Sequence, residues 1–175
     1  MANEQIWAPW RLAYIRGEDK QLRPPPKGVF LAGADPDCFL CQAVADPEEP
    51  LRYVVGQTEL SICVLNRYPY TNGHLLVAPR RHCERLEQLS PTEQMDLLGL
   101  LIRMVQRLEK TLQPHGFNIG FNLGQAAGAG LPGHLHWHVV PRWQGDTNFM
   151  PVLASVNVIP QSLEALWQLL REDAP

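Results

Sequence analysis

At 175 residues, with 45% apolar and 19% charged side chains, the chain has the size and balance of a single globular domain. A net charge of −3 argues against nonspecific nucleic-acid binding and against long-range capture of anions, so any anionic substrate has to be held by local contacts. No stretch approaches the roughly 18–20 uninterrupted apolar residues of a membrane span, and "MANEQIWAPWRLAYI" lacks the basic and apolar regions of a secretory signal, so a soluble, cytoplasmic protein without membrane or nucleic-acid partners is expected.

The first segment, "WAPWRLAYI", carries Trp7, Trp10, Tyr14 and Ile15 and reads as an arm lying on the main body. Residues 16–38 are rich in Pro, Gly and charge and read as a loop, so residues 1–37 form an arm and a Pro/Gly-rich loop within one domain spanning 1–175. Next comes "CFLC", whose Cys38 and Cys41 are redox-active, metal-bound or simply buried; no thioredoxin-like βαβ pattern surrounds them. In a reducing compartment these two, with Cys63 and Cys83, are thiols or metal ligands rather than a disulfide framework.

Five β-rich runs bounded by Gly, Pro and Asn follow: "RYVVGQT", "LSICVLN", "GHLLVAPR", "FNIGFNLG" and "HLHWHVVPR". Between the third and fourth, Ser90, Pro91 and Glu93 supply an N-cap, a first-turn proline and a capping box, which predicts a long helix. Its apolar positions Leu97, Leu101, Met104, Val105, Leu108 and Leu112 keep helical spacing up to a stop at Pro114 and Gly116. A C-terminal helix is predicted from Ser162 to about Leu170. There is no internal repeat, and the class is α+β with a mainly antiparallel sheet.

The last β-run places His134, His136 and His138 on alternate residues, hence on one strand face, with Leu135, Trp137 and Val139 on the other. Three adjacent imidazoles cannot all be buried without partners; they suit metal ligation, proton transfer near neutrality or nucleophilic attack on phosphorus, the plain alternative being three solvated histidines. Just upstream, Gly124, Gly128, Gly130 and Gly133 in "NLGQAAGAGLPG" form either an ordinary turn or a loop whose amides approach an anion closely.

The pattern "HLHWHVV" resembles the histidine triad (HIT) family of nucleotide hydrolases and transferases, and "VLNRYPYTNGHLLVAPRRHCERLEQLSPTEQ" is similar to that family's nucleoside-binding strand pair and following helix. "WAPWRLAYI", "PHGFNIGFNLG" and "HVVPRWQGDTNF" are similar to its bacterial branch related to diadenosine tetraphosphate phosphorylases. The resemblance implies an α+β homodimer. It makes His136 the nucleophile that takes up a nucleotidyl group and His138 a second phosphate contact, with Asn66, His74, Asn122, Gly128 and Gly130 binding nucleotide. It also implies one structural zinc per chain on Cys38, Cys41, His82 and His134, a closed tetrahedral set.

The chain departs from many relatives in having Gly130, Leu131 and Pro132 where they carry a Ser or Thr that assists the leaving group. The expected activity is nucleotidyl transfer from a dinucleoside polyphosphate, diadenosine tetraphosphate plus inorganic phosphate giving ADP and ATP. Hydrolysis of dinucleoside polyphosphates or phosphoramidates is the alternative, and a non-catalytic nucleotide-binding adaptor is a further one. Arg80, Arg81 and Arg142 are the basic candidates for holding phosphate, each as readily a solvated surface charge.

Overall fold

A computed structural model describes residues 24–128, 130–146 and 158–172; the arm with Trp7, Trp10, Tyr14 and Ile15 lies outside them. Two runs, Ser61–Leu65 (β2) and Leu75–Pro79 (β3), are buried at every position. That pattern belongs to strands covered on both faces rather than to strands with one wet side. They form the centre of a five-stranded sheet with β1 (Val54–Gln57), β4 (Gly116–Phe121) and β5 (Trp137–Arg142), in the order β1-β2-β3-β5-β4. Every neighbouring pair is antiparallel, as the sequence leads one to expect.

Among the described residues, three α-helices accompany the sheet: α1 (Phe39–Ala45), α2 (Pro91–Leu112) and α3 (Leu163–Glu172). On one face, Cys63, Leu65, Leu75, Val77 and Val139 pack against Leu100, Met104 and Leu108 of α2 and Leu166 and Leu170 of α3. The start of α2 is the predicted one: the Ser90 hydroxyl accepts from Glu93 N–H at 3.2 Å while the Glu93 carboxylate accepts from Ser90 N–H at 2.8 Å. It ends at Gln113, left-handed with φ 49°, one residue before Pro114. Among the described residues no helix is long and apolar enough to cross a membrane.

The second face carries α1, which the sequence reading did not include. The helix has seven residues, and its N-cap Cys38 makes no side-chain capping bond, so neither period nor cap marks it. It is set by a turn in which Cys38 N–H donates to Asp35 O at 3.1 Å. Its Leu40, Ala43 and Val44 meet Val54, Ile62, Val64, Leu76 and Ala78, all on β1, β2 and β3. Among the described residues no helix lies over the second face of β5 and β4.

The histidine run differs from expectation in length. The strand was expected from His134, but the ladder begins at Trp137. Continuing the register Val77↔Trp137 would set Leu135 opposite Pro79, which has no N–H to donate. Leu135 N–H instead donates to Cys83 O at 2.7 Å, and the carbonyl of Pro79 is taken by a histidine side chain.

Leu108 is fully buried where β-sheet, α2 and α3 meet. Leu108→Ala should destabilise the fold by about 3 kcal/mol and lower the melting temperature by roughly 6–12 °C, read by circular dichroism; a shift under about 2 °C would show that α2 does not pack on the sheet as described.

Candidate active site and metal centre

Cys38 and Cys41 are one helical turn apart at the start of α1, so both thiols project on the same side. Opposite them stand His82, three residues past β3, and His134, which precedes β5. One ligand atom from each of the four lies within 4.8 Å of all the others. Cys38 Sγ is 3.3 Å from His134 Nδ1, and Cys41 Sγ is 3.3 Å from His82 Nδ1 and 3.5 Å from His134 Nδ1. A tetrahedral centre with metal–sulfur bonds of about 2.3 Å and metal–nitrogen bonds of about 2.0 Å needs sulfur–nitrogen separations of about 3.5 Å. The cluster therefore fits a metal ion. His134 also has the outer contact such a ligand needs: its Nε2–H donates to Pro79 O at 2.9 Å, which leaves Nδ1 unprotonated toward the thiols. The Cys38 thiol, hydrogen-bonded to Cys41, holds the Cys41 sulfur well below the ordinary thiol range, with His134 helping; Cys38 is pushed up in turn.

The main-chain carbonyl of His134 points to the next histidine. His136 Nδ1–H donates to it at 2.8 Å, so the Nε2 lone pair is the one left for chemistry. His136 is 8% exposed, and its ring centre lies 5.1 Å from that of His138.

The tautomer of His138 follows from a chain of donors that starts in the backbone. Tyr70 N–H can only donate, and it donates to His74 Nδ1 at 3.1 Å. His74 Nε2 therefore carries the proton and donates to His138 Nδ1 at 2.9 Å. His138 is left with Nε2–H as a hydrogen-bond donor. Asn66 supports the start of this chain, with Nδ2 3.2 Å from His74 Nδ1 and Oδ1 accepting Tyr68 N–H at 3.0 Å. His74 is completely buried, with both ring nitrogens hydrogen-bonded within the protein. Asn66 is half-buried beside it.

On the β5–β4 half of the second sheet face is a cleft of about 590 Å³, with Tyr70, Asn118, Gly120, Asn122, His138 and Arg142 among the residues that line it. Gly128 and Gly130 lie on the exposed loop between β4 and β5; Gly128 has φ +83° and stands beside Asn122. The three arginines part company. Arg81 is paired with Glu93 at 3.0 Å, Arg80 donates to Thr58 O at 3.2 Å, and Arg142 faces the cleft. Tyr70, Asn118 and Asp146 belong to the cleft and went unread in the sequence. For Asn118, the alternation Asn118–Gly120 in "FNIGF" was a usable signal once β4 was known to pair with β5.

The family model described as the HIT domain matches residues 48–145. A Mycobacterium tuberculosis protein named AP-4-A phosphorylase is 39% identical over 167 residues, covering 95% of this chain and 82% of its own. A Schizosaccharomyces pombe bis(5'-nucleosyl)-tetraphosphatase (asymmetrical) is 38% identical over 93 residues, 53% of this chain and 50% of its own. The crystal structure of a zinc-bound histidine triad family protein from Mycobacterium smegmatis superposes with a TM-score of 0.56 at 30% identity, covering 69% of this chain and 81% of the other.

Burial, then the neighbouring His138, pushes the His74 imidazole down to about 3; burial, then His136, pushes His138 down to about 4. Both are neutral in the folded protein near pH 7, whereas unfolded histidines titrate near pH 6.5. As pH falls below about 6.5 the unfolded chain takes up protons that the folded chain refuses, so stability falls with pH down to about 4. Melting temperature should decline across that window, and His74→Gln should flatten the slope. A wild-type melting temperature that is flat or rises from pH 6.5 to 4 would contradict the buried neutral pair.

Proposed function

The chain belongs to the HIT family, and from that premise we propose that it is a nucleotidyltransferase acting on dinucleoside polyphosphates through a nucleotidyl group carried on His136. The observation that carries this reading is the fixed pair of tautomers. His136 offers an Nε2 lone pair, and His138, one strand position on along the same face, offers an Nε2–H.

In the first step, His136 Nε2 attacks the α-phosphorus of diadenosine tetraphosphate; the N–P bond forms as the P–O bond to the remaining nucleotide breaks, and ATP leaves. The imidazole becomes positive as it does so, and its Nδ1–H already points at the His134 carbonyl, which stabilises that charge. His138 donates to the nonbridging oxygens, where negative charge concentrates. Asn122, beside the cleft and next to Gly128, binds the same phosphate or the ribose. In the second step an oxygen of inorganic phosphate attacks the phosphorus, the N–P bond breaks and ADP is released. The name of the M. tuberculosis relative supports phosphate over water as acceptor.

Zinc is the metal we assign to Cys38, Cys41, His82 and His134. The support is the two-sulfur, two-nitrogen donor set and the zinc-bound M. smegmatis structure. Bound there, with four protein ligands and no open position, it would supply structural cross-linking rather than catalysis. A homodimer is part of the same reading. Its support is that β4 is an edge strand whose Ile119 is 46% exposed.

With diadenosine tetraphosphate, turnover should rise saturably with added phosphate and yield ADP and ATP by product chromatography. AMP and ATP alone, even in excess phosphate, would make the protein a hydrolase. His136→Ala should lower kcat by roughly a thousandfold or more while nucleotide binding survives; activity above a few per cent of wild type would remove His136 from the nucleophile's role.

The protein should carry about one zinc per chain by elemental analysis, and Cys38→Ser or Cys41→Ser should lose the metal with a large fall in melting temperature. A metal-free protein prepared without chelators, or a melting temperature indifferent to chelation, would return the two cysteines to plain buried thiols.

A further inference from the structure

The cleft beyond His138 has a donor at each end and a space between them that the chemistry at His136 does not itself use. His138, Val140 and Arg142 alternate along β5 on one face, with Gly120 directly opposite His138 and Asn118 opposite Val140. At roughly 3.3 Å per residue the backbones of His138 and Arg142 are about 13 Å apart, and the arginine side chain shortens that gap.

Arg142 is held in place. Its Nε and Nη2 donate to the two carboxylate oxygens of Asp146 at 2.6 and 2.9 Å, and its Nη1 donates to Asn118 Oδ1 at 2.7 Å. A guanidinium has five N–H donors, so these three bonds orient its plane and leave one N–H on each terminal nitrogen. Val140 forms the floor between the two ends, and Gly120 the floor beside His138. A Cβ added there meets nothing within 4 Å, and its φ is not among the positive ones, so the space above it is open.

We propose that this cleft is the subsite for the polyphosphate of the leaving nucleotide, with Arg142 holding the distal phosphates and Asp146 and Asn118 fixing the guanidinium. The inference rests on the nucleotidyl-transfer reading and extends it. Displacement at phosphorus is in line, so the bond to the leaving group breaks on the side away from His136 Nε2. The acceptor must then come in along that same line, and inorganic phosphate takes up the place the polyphosphate has vacated. Asp146 already balances the charge of Arg142. A run of phosphates gripped at both ends is therefore held more firmly than a single phosphate, which exchanges readily. The missing Ser or Thr before the histidine run is compatible with this arrangement, because the leaving group's charge is met further along the cleft.

The test compares two ligands on His136→Ala protein, which cannot form the intermediate. Binding of diadenosine tetraphosphate and of AMP is measured by titration calorimetry, with and without Arg142→Ala or Gly120→Val. Each added change should raise the Kd for diadenosine tetraphosphate tenfold or more and leave that for AMP within twofold. AMP binding also reports that the variants are folded. Equal weakening of both ligands would mean that the cleft holds the first nucleotide, and weakening of neither would mean that it holds none; both overturn the proposal. Weakening by Gly120→Val but not by Arg142→Ala would remove Arg142 from the role. The readout is binding alone, so a wild-type protein that releases neither ADP nor ATP would refute the transfer reaction without touching this comparison.

Discussion

One residue, His134, ties the parts of the site together through three separate bonds. Its Nε2–H is spent on the carbonyl of Pro79, its Nδ1 faces the two cysteine sulfurs, and its own carbonyl receives His136 Nδ1–H. The orientation of the imidazole we assign as nucleophile is thereby coupled to the end of β3 and to the start of α1. Neither contact lies close in sequence, and each would be lost if the segment ahead of β5 moved. The Cys₂His₂ cluster gathers that segment against the start of α1 and the residues past β3, where a free loop would leave the tautomer of His136 undetermined.

A second constraint is how the sheet is covered. Helices α2 and α3 fill one face, and α1 is too short to cover more than β1, β2 and β3 on the other. Both faces of β2 and β3 are therefore dry, which is why their sequences are nearly continuous apolar runs. The half of the second face that no described helix covers falls on β5 and β4, where His138, Arg142, Asn118 and Gly120 line the cleft. Core and cleft are two ends of one surface, divided by the length of a seven-residue helix.

Burial also sets the charge state of the histidines. His74 and His138 are kept neutral, and a short relay from Tyr70 N–H through His74 decides that His138 presents a proton rather than a lone pair. His136 is held below its ordinary range by burial too, although its bond to the His134 carbonyl works the other way. In the reaction we propose, a neutral nucleophile beside a neutral donor needs no titration between steps. It also gives a chain with net charge −3 a local means of meeting phosphate without a basic surface.

Much of this was legible from residues alone. Alternating histidines, the capping box at Ser90 and the punctuation by Gly, Pro and Asn are local signals, carried by neighbours within a turn or a strand; they determined the five strands, α2, α3 and the choice of His134, His136 and His138. The grouping of Cys38 and Cys41 with His82 and His134 came through family resemblance, since Cys41 and His82 are 41 positions apart and Cys38 and His134 are 96 apart. Only the tertiary structure decided that α1 exists, that the ladder stops where Pro79 has no N–H to give, that His74 is hydrogen-bonded to His138, and which of Arg80, Arg81 and Arg142 lines the cleft. Each of those depends on strand order and register, and register is a pairing between distant segments that no local periodicity records.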